Sequence, residues 1–258
     1  YAERARIEPH ITEKTRAILL SNPGNPTGTV LTPAELRLMA DIASEHGLYL
    51  ICDEVYREFI YDGAEPATAG RFRDIDENLI LIDSVSKRFS ACGARIGALI
   101  SRNRGIMQGA LKLAQARLSV ATLDQLGAAA LYGVDPSYFD ATRNEYRRRR
   151  DTCYRKLLEI PGIVTTEPQG AFYAFVDVRA CGMDCDRFSR MLLDEEHVAV
   201  VPGTAFGSEG AGFVRLSYAG DGRELREGVR RMRVFAERHV DPALGRHTPG
   251  YHHLQIMA

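Results

Sequence analysis

The sequence predicts an α/β fold, with a mainly parallel sheet sandwiched by helices and a smaller C-terminal α+β domain. In the first half, short apolar runs alternate with helix-length segments, which is typical of βαβ units whose strands are buried on both faces. After Gly162 the pattern changes to short strands and amphipathic helices. We therefore expect a large domain over residues 1–135, a small domain over 136–240 and a surface tail over 241–258.

Four apolar runs are the predicted strands of the large sheet. They are Ala17–Leu20, Leu48–Cys52, Leu79–Ile82 and Ile96–Ile100. The last two lie close enough in sequence for the fourth strand to be antiparallel. Between the first two, Thr32, Pro33 and Glu35 supply the cap, the first-turn proline and the first-turn acid of a helix. That helix is predicted to run to about His46, because Gly47 is a natural stop.

The middle and the end of the chain contain the longer predicted helices. Residues 105–133 are rich in Ala and Leu, and a long helix should run from Ser137 to about Glu159. We expect the run Arg147–Arg150 to form a solvated, charged face of that helix. The predicted elements of the small domain are the strands Ala171–Val178, Val198–Val201 and Phe213–Ser217 and the helices Asp186–Glu196 and Glu224–His239.

The composition excludes several classes of function. Among 258 residues, 33 Lys and Arg balance 34 Asp and Glu, which argues against a nucleic-acid partner reached by bulk charge. The apolar runs are too short to cross a membrane. Five cysteines contain no CxxC pair, and no histidine lies near Cys181 and Cys185, so no metal site is predicted. We interpret all five as reduced thiols of a cytoplasmic protein.

Polar residues follow the carboxyl ends of three predicted strands, which is where ligands bind in open α/β sheets. The first of them, Asn25, lies in the segment Ser21–Gly28, where two Asn-Pro pairs and two glycines enforce a rigid turn. That turn is either a plain connection or a loop that aims the Asn25 amide at a ligand. Asp53 is either a helix cap or salt-bridge partner, or a carboxylate for a protonated ring nitrogen, with the Tyr56 phenol nearby.

The third segment contains Ser84 and Lys87 and is followed by Arg95. Lys87 alone could be a surface charge, but a partly desolvated amine near another cation becomes nucleophilic toward an aldehyde. Ser84 and Arg95 would suit a phosphate group. A nucleophilic lysine, a carboxylate for a pyridinium nitrogen, a phenol, an amide and a phosphate site together match one cofactor, pyridoxal phosphate.

Four motifs occur in the order and at the spacings of a known family. The segments SNPGNPTG, DEVY, SVSK and GARIG resemble the loop, the Asp-x-x-Tyr, the Ser-x-Ser-Lys and the Gly-x-Arg-x-Gly of the class I/II, fold-type I pyridoxal-phosphate aminotransferases, the aspartate aminotransferase superfamily. The resemblance runs from about Arg16 to about Phe235. It implies a homodimeric enzyme that acts on an amino acid and a 2-oxo acid.

The resemblance also assigns roles to the site residues. Lys87 would form the Schiff base with the cofactor and act as the catalytic base, and Asp53 would hold the pyridine nitrogen. Asn25 and Tyr56 would bond the ring oxygen, and the Asn25–Pro26 peptide would be cis. Ser84 and Arg95 would bind the phosphate.

In the second domain, the segment GFVRLS resembles the family segment whose arginine grips the substrate α-carboxylate, a role that falls on Arg215. Phe172 and Phe206 lie in segments that resemble family segments lining the site, and we expect both rings to pack in the core.

The family carries an N-terminal portion before the position of Tyr1, so the resemblance implies that part of the cofactor site and much of the side-chain pocket lie outside this sequence. The leading hypothesis is an aminotransferase with an aspartate/2-oxoglutarate-like preference. Two alternatives stay open: another chemistry on the same cofactor, such as a C–S lyase or a cyclopropane-carboxylate synthase, or the aminotransferase-like domain of a transcription regulator.

Overall fold

A computed structural model describes residues 2–240, and these residues form two compact units. The first comprises residues 2–24 and 29–141, and the second comprises residues 25–28 and 142–240. A short loop from the first part of the sequence therefore belongs to the second unit. The predicted tail over residues 241–258 lies outside the described residues.

The first unit holds the segments that were predicted to form the large sheet. Its elements, in chain order, are α1 (Arg4–Ile7), β1 (Ala17–Ser21), α2 (Pro33–Glu45), β2 (Tyr49–Asp53), β3 (Leu79–Ser84), α3 (Val85–Arg88), β4 (Gly97–Ile100), α4 (Arg104–Ala116) and α5 (Thr122–Leu131). Short 3-10 turns occur at Glu8–His10, Ala69–Arg71 and Cys92–Ala94.

These strands form a sheet in the order β1-β2-β3-β4. The first three strands are parallel, and β4 is antiparallel to β3. Ser21 lies beside Asp53, and Asp53 lies beside Ile82, so the strands end along one edge. The prediction of a mainly parallel sheet with one antiparallel member is confirmed.

Helix α2 begins as the sequence predicts. The Thr32 hydroxyl accepts a hydrogen bond from the Glu35 amide (3.2 Å), and the Glu35 carboxylate accepts one from the Thr32 amide (2.8 Å), which is a complete capping box. The helix ends at Glu45, and Gly47 follows with a φ of +63°. Buried side chains of α2 pack with those of β2 in one core cluster, which includes Leu36, Ala40, Ala43, Leu48, Leu50 and Cys52.

The second unit contains an antiparallel sheet. Its elements are α6 (Ser137–Leu158, which begins at the end of the first unit), β5 (Val164–Thr165), β6 (Tyr173–Asp177), α7 (Cys185–Glu196), β7 (Val201–Pro202), β8 (Phe213–Ser217) and α8 (Gly222–His239). The strand order is β5-β6-β8-β7, and every pairing in it is antiparallel. Phe188 of α7 and Phe235 of α8, both fully buried, meet edge to face at 5.1 Å. The prediction of a C-terminal α+β architecture is confirmed.

Two parts of the second unit differ from the predictions. The strand expected at Val198–Val201 is reduced to two residues at Val201–Pro202. The expectation that Arg147–Arg150 form a solvated face is wrong for Arg150, whose side chain is only 3% exposed. On α6, Arg150 shares the buried face with Cys153 and Leu157, which follow it at helical spacings of three and seven residues.

Residues 2–240 include no helix that is both long and apolar enough to cross a lipid bilayer. All five cysteines are free thiols, and four of them are buried. Burial raises the pKa of Cys52 and Cys153 to about 12 and that of Cys181 to about 11, because a thiolate is poorly solvated there.

Candidate active site

The seven residues predicted to form the site are divided between the two units. The first unit contains the group that we call the lysine site, which consists of Asp53, Tyr56, Ser84, Lys87 and Arg95. The second unit contains Asn25 and Arg215, which we call the arginine site.

Asp53 is the last residue of β2 and is partly buried. Its Oδ1 accepts a hydrogen bond from the Val55 amide at 3.1 Å, so the carboxylate turns the chain as it leaves the strand. The backbone N–H of Asn22, just after the neighbouring strand β1, donates to the backbone carbonyl of Asp53 at 2.9 Å. These contacts place the Asp53 carboxylate at the carboxyl edge of the parallel strands, where the sequence predicts it.

Glu54 and Tyr56 follow Asp53 and are buried. Oε1 of Glu54 accepts hydrogen bonds from the Thr68 hydroxyl (2.8 Å) and from the Ala69 amide (3.1 Å). Burial nevertheless raises the pKa of Glu54, because loss of water outweighs these bonds and the attraction of Arg57. Glu54 is not among the predicted site residues, although its place directly after a buried strand end was a signal for it.

Ser84 ends β3 and caps α3, the short helix that carries Lys87. The Ser84 hydroxyl accepts from the Ser86 amide (3.1 Å) and donates to the Ile96 carbonyl (3.0 Å). Arg95 is exposed, has a left-handed φ of 55°, and donates from Nη1 to the Cys92 carbonyl at 3.0 Å.

An ionic cluster around one buried carboxylate, that of Asp83, lies directly beside the segment that contains Ser84 and Lys87. Asp83 is 5% exposed, accepts from the Ser84 amide at 2.8 Å and pairs through Oδ2 with Nη2 of Arg57. Arg88, the residue after Lys87, lies 3.5 Å from the same carboxylate and 2.8 Å from Glu58. Both ends of α3 are thus tied to one buried carboxylate. No motif in the sequence pointed to Asp83, because its partners come from different elements.

In the arginine site, Arg215 and Asn25 are brought together. Arg215 lies on β8 opposite Phe175 of β6, and its Nη1 donates to Oδ1 of Asn25 at 2.8 Å. The guanidinium lies between two aromatic rings, 4.5 Å from the centre of Tyr173 and 4.9 Å from that of Phe206.

Arg215 retains unused binding capacity. Its Nε is buried without a hydrogen-bond partner, and among residues 2–240 no carboxylate forms an ion pair with it. A half-buried guanidinium in this state favours an anion that accepts two parallel N–H bonds. Phe206 was expected in the core, and that is wrong: the residue is 38% exposed, and its ring packs against the Arg215 guanidinium. Phe172 is buried, as expected.

The loop of residues 25–28 is held closely within the second unit. The Asn25–Pro26 peptide is cis, as the resemblance implied. The Gly28 carbonyl accepts hydrogen bonds from the amides of Gln169 (2.8 Å) and Gly170 (2.9 Å). Gly28 has a φ of +70°, and a Cβ at this position would lie 2.7 Å from Cβ of Pro168. Only glycine satisfies both the backbone angle and the approach of Pro168.

The donor set of the lysine site fits the cofactor that the resemblance implies. An amine, a carboxylate, a hydroxyl and a guanidinium follow β2 and β3, and Asp53 and Ser84 end those two strands. The exposed guanidinium of Arg95 has further N–H groups beyond the one bonded to Cys92. These groups match an aldehyde, a ring nitrogen and a phosphate in chemical type.

Comparison with known proteins agrees with this chemistry. The sequence profile of the family described as aminotransferase class I and II matches residues 4–232. An aspartate aminotransferase of Bacillus subtilis is 37% identical over 241 residues, which are 91% of this chain and 61% of that protein. The aromatic-amino-acid aminotransferase 2 of Thermococcus litoralis is 36% identical over 228 residues, 88% of this chain and 58% of the relative.

Solved structures give the same result. The aromatic aminotransferase of Pyrococcus horikoshii superposes with a TM-score of 0.85 at 38% identity, over 90% of this chain and 62% of that one. The aspartate aminotransferase of Thermus thermophilus with maleate gives 0.80 at 34% identity, over 92% and 60%. The chain thus spans about three-fifths of the length of these relatives.

Proposed function

Because the chain belongs to the class I and II aminotransferase family, we propose that it acts in a pyridoxal-phosphate-dependent aminotransferase that moves an amino group from an L-amino acid to a 2-oxo acid. The observation that carries this proposal is the Arg215 guanidinium, stacked between two rings, bonded to Asn25 and without a carboxylate partner among the described residues. Both substrates of a transaminase carry an α-carboxylate, and a planar fork of N–H donors is the protein group that fits it best.

The lysine site supports the second half of the proposal. Pyridoxal phosphate, when bound, would supply an aldehyde and an electron-accepting ring. Lys87 would hold the aldehyde carbon through Nζ, and its amine would serve as the base that moves the proton at the substrate α-carbon. Asp53 would hold the proton on the ring nitrogen. Asn25 and Tyr56 would bond the ring oxygen.

Ser84 and Arg95 would bind the phosphate. The Ser84 hydroxyl donates to the Ile96 carbonyl in this structure, so it would have to exchange that acceptor for a phosphate oxygen. Arg95 keeps N–H donors that the Cys92 carbonyl does not use. Asp83, Arg57 and Arg88 would keep α3, and with it Lys87, in place.

Arg215 would orient the amino acid. Two N–H bonds to the two carboxylate oxygens would fix the plane of the carboxylate and so hold the amino acid at its carboxylate end. The rings of Tyr173 and Phe206 limit the movement of the guanidinium and keep water from its faces.

For the substrates we propose aspartate and 2-oxoglutarate as the first pair to test. Relatives named aspartate aminotransferase support this choice, including those of Bacillus subtilis (37% identical) and Pyrococcus abyssi (37%). A relative named for aromatic amino acids is almost as similar at 36%, so aromatic donors belong in the same panel.

We further propose a cytoplasmic homodimer. The five free thiols support a reducing compartment, and the family resemblance supports the dimer. Light scattering of the purified protein tests the dimer, and a monomer at micromolar concentration would contradict it.

The proposal is tested by absorbance spectra with pyridoxal phosphate before and after borohydride reduction, followed by peptide mapping. We expect the reduced cofactor on the peptide that contains Lys87, with Lys14, Lys112 and Lys156 unlabelled in the same digest. Lys87→Ala should bind no cofactor covalently and show no transamination, whereas Lys112→Ala, at an exposed position, should behave as the wild type. Labelling of another lysine, or normal turnover by Lys87→Ala, would overturn the assignment.

A panel of amino donors with 2-oxoglutarate then separates the reaction types. A transaminase forms glutamate in step with the new oxo acid. A C–S lyase or a cyclopropane-carboxylate synthase would consume its amino acid without forming glutamate, and a cofactor-sensing regulator would turn over neither.

A further inference from the structure

Arg150 is a buried charge that none of the roles above uses. Its side chain on α6 is 3% exposed, although its neighbours in the run, Arg147 and Arg148, are exposed. Nε donates to Oδ1 of Asp151 at 2.6 Å, and Nη1 lies 3.4 Å from Oε1 of Glu167. Burying a guanidinium costs free energy unless hydrogen-bond or ionic partners compensate. The partners of Arg150 should therefore explain why an arginine occupies this position.

One of its partners is the backbone of residues 167–170, which we call the Pro168 segment. Nη1 of Arg150 donates to the Pro168 carbonyl at 2.8 Å. The carbonyl of a buried proline needs a donor, and a charged donor makes a stronger hydrogen bond than a neutral one. This hydrogen bond connects the Pro168 carbonyl to α6.

The Pro168 segment in turn contacts the loop that carries Asn25. Gln169 and Gly170 donate their amides to the Gly28 carbonyl. Pro168 itself lies so close to Gly28 that no side chain fits between them. Three residues before Gly28, Asn25 accepts the hydrogen bond of Arg215.

The same segment also leads into the strand that supports Arg215. Ala171 and Phe172 follow it, and β6 then begins at Tyr173, whose ring lies 4.5 Å from the Arg215 guanidinium. Both contacts of the arginine site, the amide of Asn25 and the ring of Tyr173, are thus attached to the Pro168 segment. A displacement of this segment moves both.

We propose that Arg150 is a positioning residue for substrate binding: through the Pro168 carbonyl it fixes the loop of residues 25–28 and the Asn25–Arg215 pair. The proposal rests on the proposed function, in which Arg215 holds the substrate carboxylate. Arg150 touches neither substrate nor cofactor in this scheme. An arginine suits the position because its planar fork bonds a carboxylate and a carbonyl at once, which the ammonium group of lysine does less well.

The test compares Arg150→Gln, Arg150→Lys and Leu157→Ala in the full protein. Leu157 is fully buried two turns further along the same face of α6, so Leu157→Ala should destabilise the unit without touching the Pro168 segment. We expect Arg150→Gln to raise KM for the amino acid by about tenfold or more, with a smaller change in kcat, because misplaced binding groups are costly. Arg150→Lys should recover part of this loss. Leu157→Ala should lower the unfolding temperature and leave KM within about twofold.

A second measurement does not depend on activity. Hydrogen exchange at the amides of Gln169 and Gly170 should accelerate by about tenfold or more in Arg150→Gln, because their acceptor loop is no longer held. Exchange within α8 should stay as in the wild type. In Leu157→Ala the Gln169 and Gly170 amides should keep their protection.

The outcomes separate the proposals. If the wild type shows no transamination, the proposed function fails, and hydrogen exchange alone decides whether Arg150 fixes the Pro168 segment. If the wild type is active but Arg150→Gln keeps both KM and the protection of Gln169 and Gly170, the positioning role is overturned. If Arg150→Gln does not fold, the test uses Arg150→Met, which has no N–H donor for the Pro168 carbonyl, and wild-type KM and exchange in that variant would equally overturn the role.

Discussion

Arg215 and Asn25 are 190 positions apart in the sequence, yet Nη1 of the arginine lies 2.8 Å from the amide oxygen of the asparagine. A neutral amide accepts this hydrogen bond where an ion-paired arginine would have a carboxylate. The positive charge is therefore oriented without being neutralised. This arrangement suits a residue whose charge is reserved for a ligand.

Replacing Arg215 should weaken substrate binding. Arg215→Gln keeps a donor near Asn25 but loses the charge and the planar fork, so KM for the amino acid should rise by about tenfold to a hundredfold, with a lower kcat. Steady-state kinetics with saturating cofactor measures both parameters. Arg223→Gln, at a side chain that is 89% exposed, is the matched control. An unchanged kcat/KM in Arg215→Gln would remove this residue from the site.

Loss of the Asp53 carboxylate should slow the reaction by orders of magnitude, since nothing would then hold a proton on the cofactor ring nitrogen. Asp53→Ala should keep the fold, because the carboxylate contributes one hydrogen bond, from the Val55 amide, to the turn that follows β2. The measurement is kcat at saturating cofactor and substrates. Asp74→Ala, which removes an exposed carboxylate paired with Arg37, serves as control. Turnover near the wild-type rate would contradict the role of Asp53.

A side chain at Gly28 should disturb the second unit more than the backbone angle alone explains. Gly28 and Gly182 both have left-handed φ values, +70° and +68°, but only at Gly28 would a Cβ meet other atoms, namely Pro168 Cβ at 2.7 Å and the Tyr173 carbonyl at 2.8 Å. Gly182→Ala should cost about 1–2 kcal/mol of unfolding free energy. Gly28→Ala should cost clearly more and also raise KM, and equal losses by urea denaturation would show that the close approach of Pro168 does not matter.

Glu54 should make stability depend on pH. Because burial raises its pKa above the ordinary 4.5, the folded protein favours the protonated carboxyl and loses stability as the pH rises from 4.5 through the raised value. In Glu54→Gln, Oε1 can still accept from Thr68 and Ala69, and no charge forms. The variant should therefore match the wild type near pH 4 and gain relative stability toward pH 8 in urea denaturation. A gap that stays constant with pH would show that Glu54 does not titrate in this way.

The cysteines should differ sharply in reactivity. Cys92 is exposed, while the buried Cys52, Cys153 and Cys181 have pKa values raised to about 11 or 12. Iodoacetamide at pH 8 should therefore alkylate Cys92 first in the folded protein, because the thiolate is the reacting form. Peptide mass mapping identifies the modified residue, and Cys92→Ser should remove the early reaction. Early modification of Cys52 or Cys153 would contradict this expectation, because it would require the unit that contains the cysteine to unfold at least locally under these conditions.

The regular parts of the first unit could be predicted because their signals are local. The cap at Thr32, the stop at Gly47 and the apolar runs each depend on neighbouring residues, and the structure follows them closely. The lysine-site residues could be named for a related reason, since each of them lies in a short motif after a strand. That these residues together suit pyridoxal phosphate was inferred from the family resemblance as much as from the residues themselves.

What escaped prediction depends on contacts between distant segments. The charge of Arg150 suggested an exposed side chain, but the side chain is buried and donates to the Pro168 carbonyl, 18 positions away. Arg150 lies three and seven residues before Cys153 and Leu157, a spacing that places all three on one helix face. That spacing indicated burial, but the run of four arginines drew attention to charge instead. Phe206 looked like a core residue because it is apolar, but its partly exposed ring packs against Arg215, a residue of a different segment.

The loop of residues 25–28 belongs to the second unit although the chain around it belongs to the first. A single exchanged segment that starts at the boundary near residue 141 therefore carries Arg215 but leaves Asn25 behind. A crossover near residue 141 that exchanged the second unit between two relatives would join the arginine of one parent to the asparagine loop of the other. Chimaeras of this family should consequently tolerate such a junction only when both parents place the loop against the Pro168 segment in the same way.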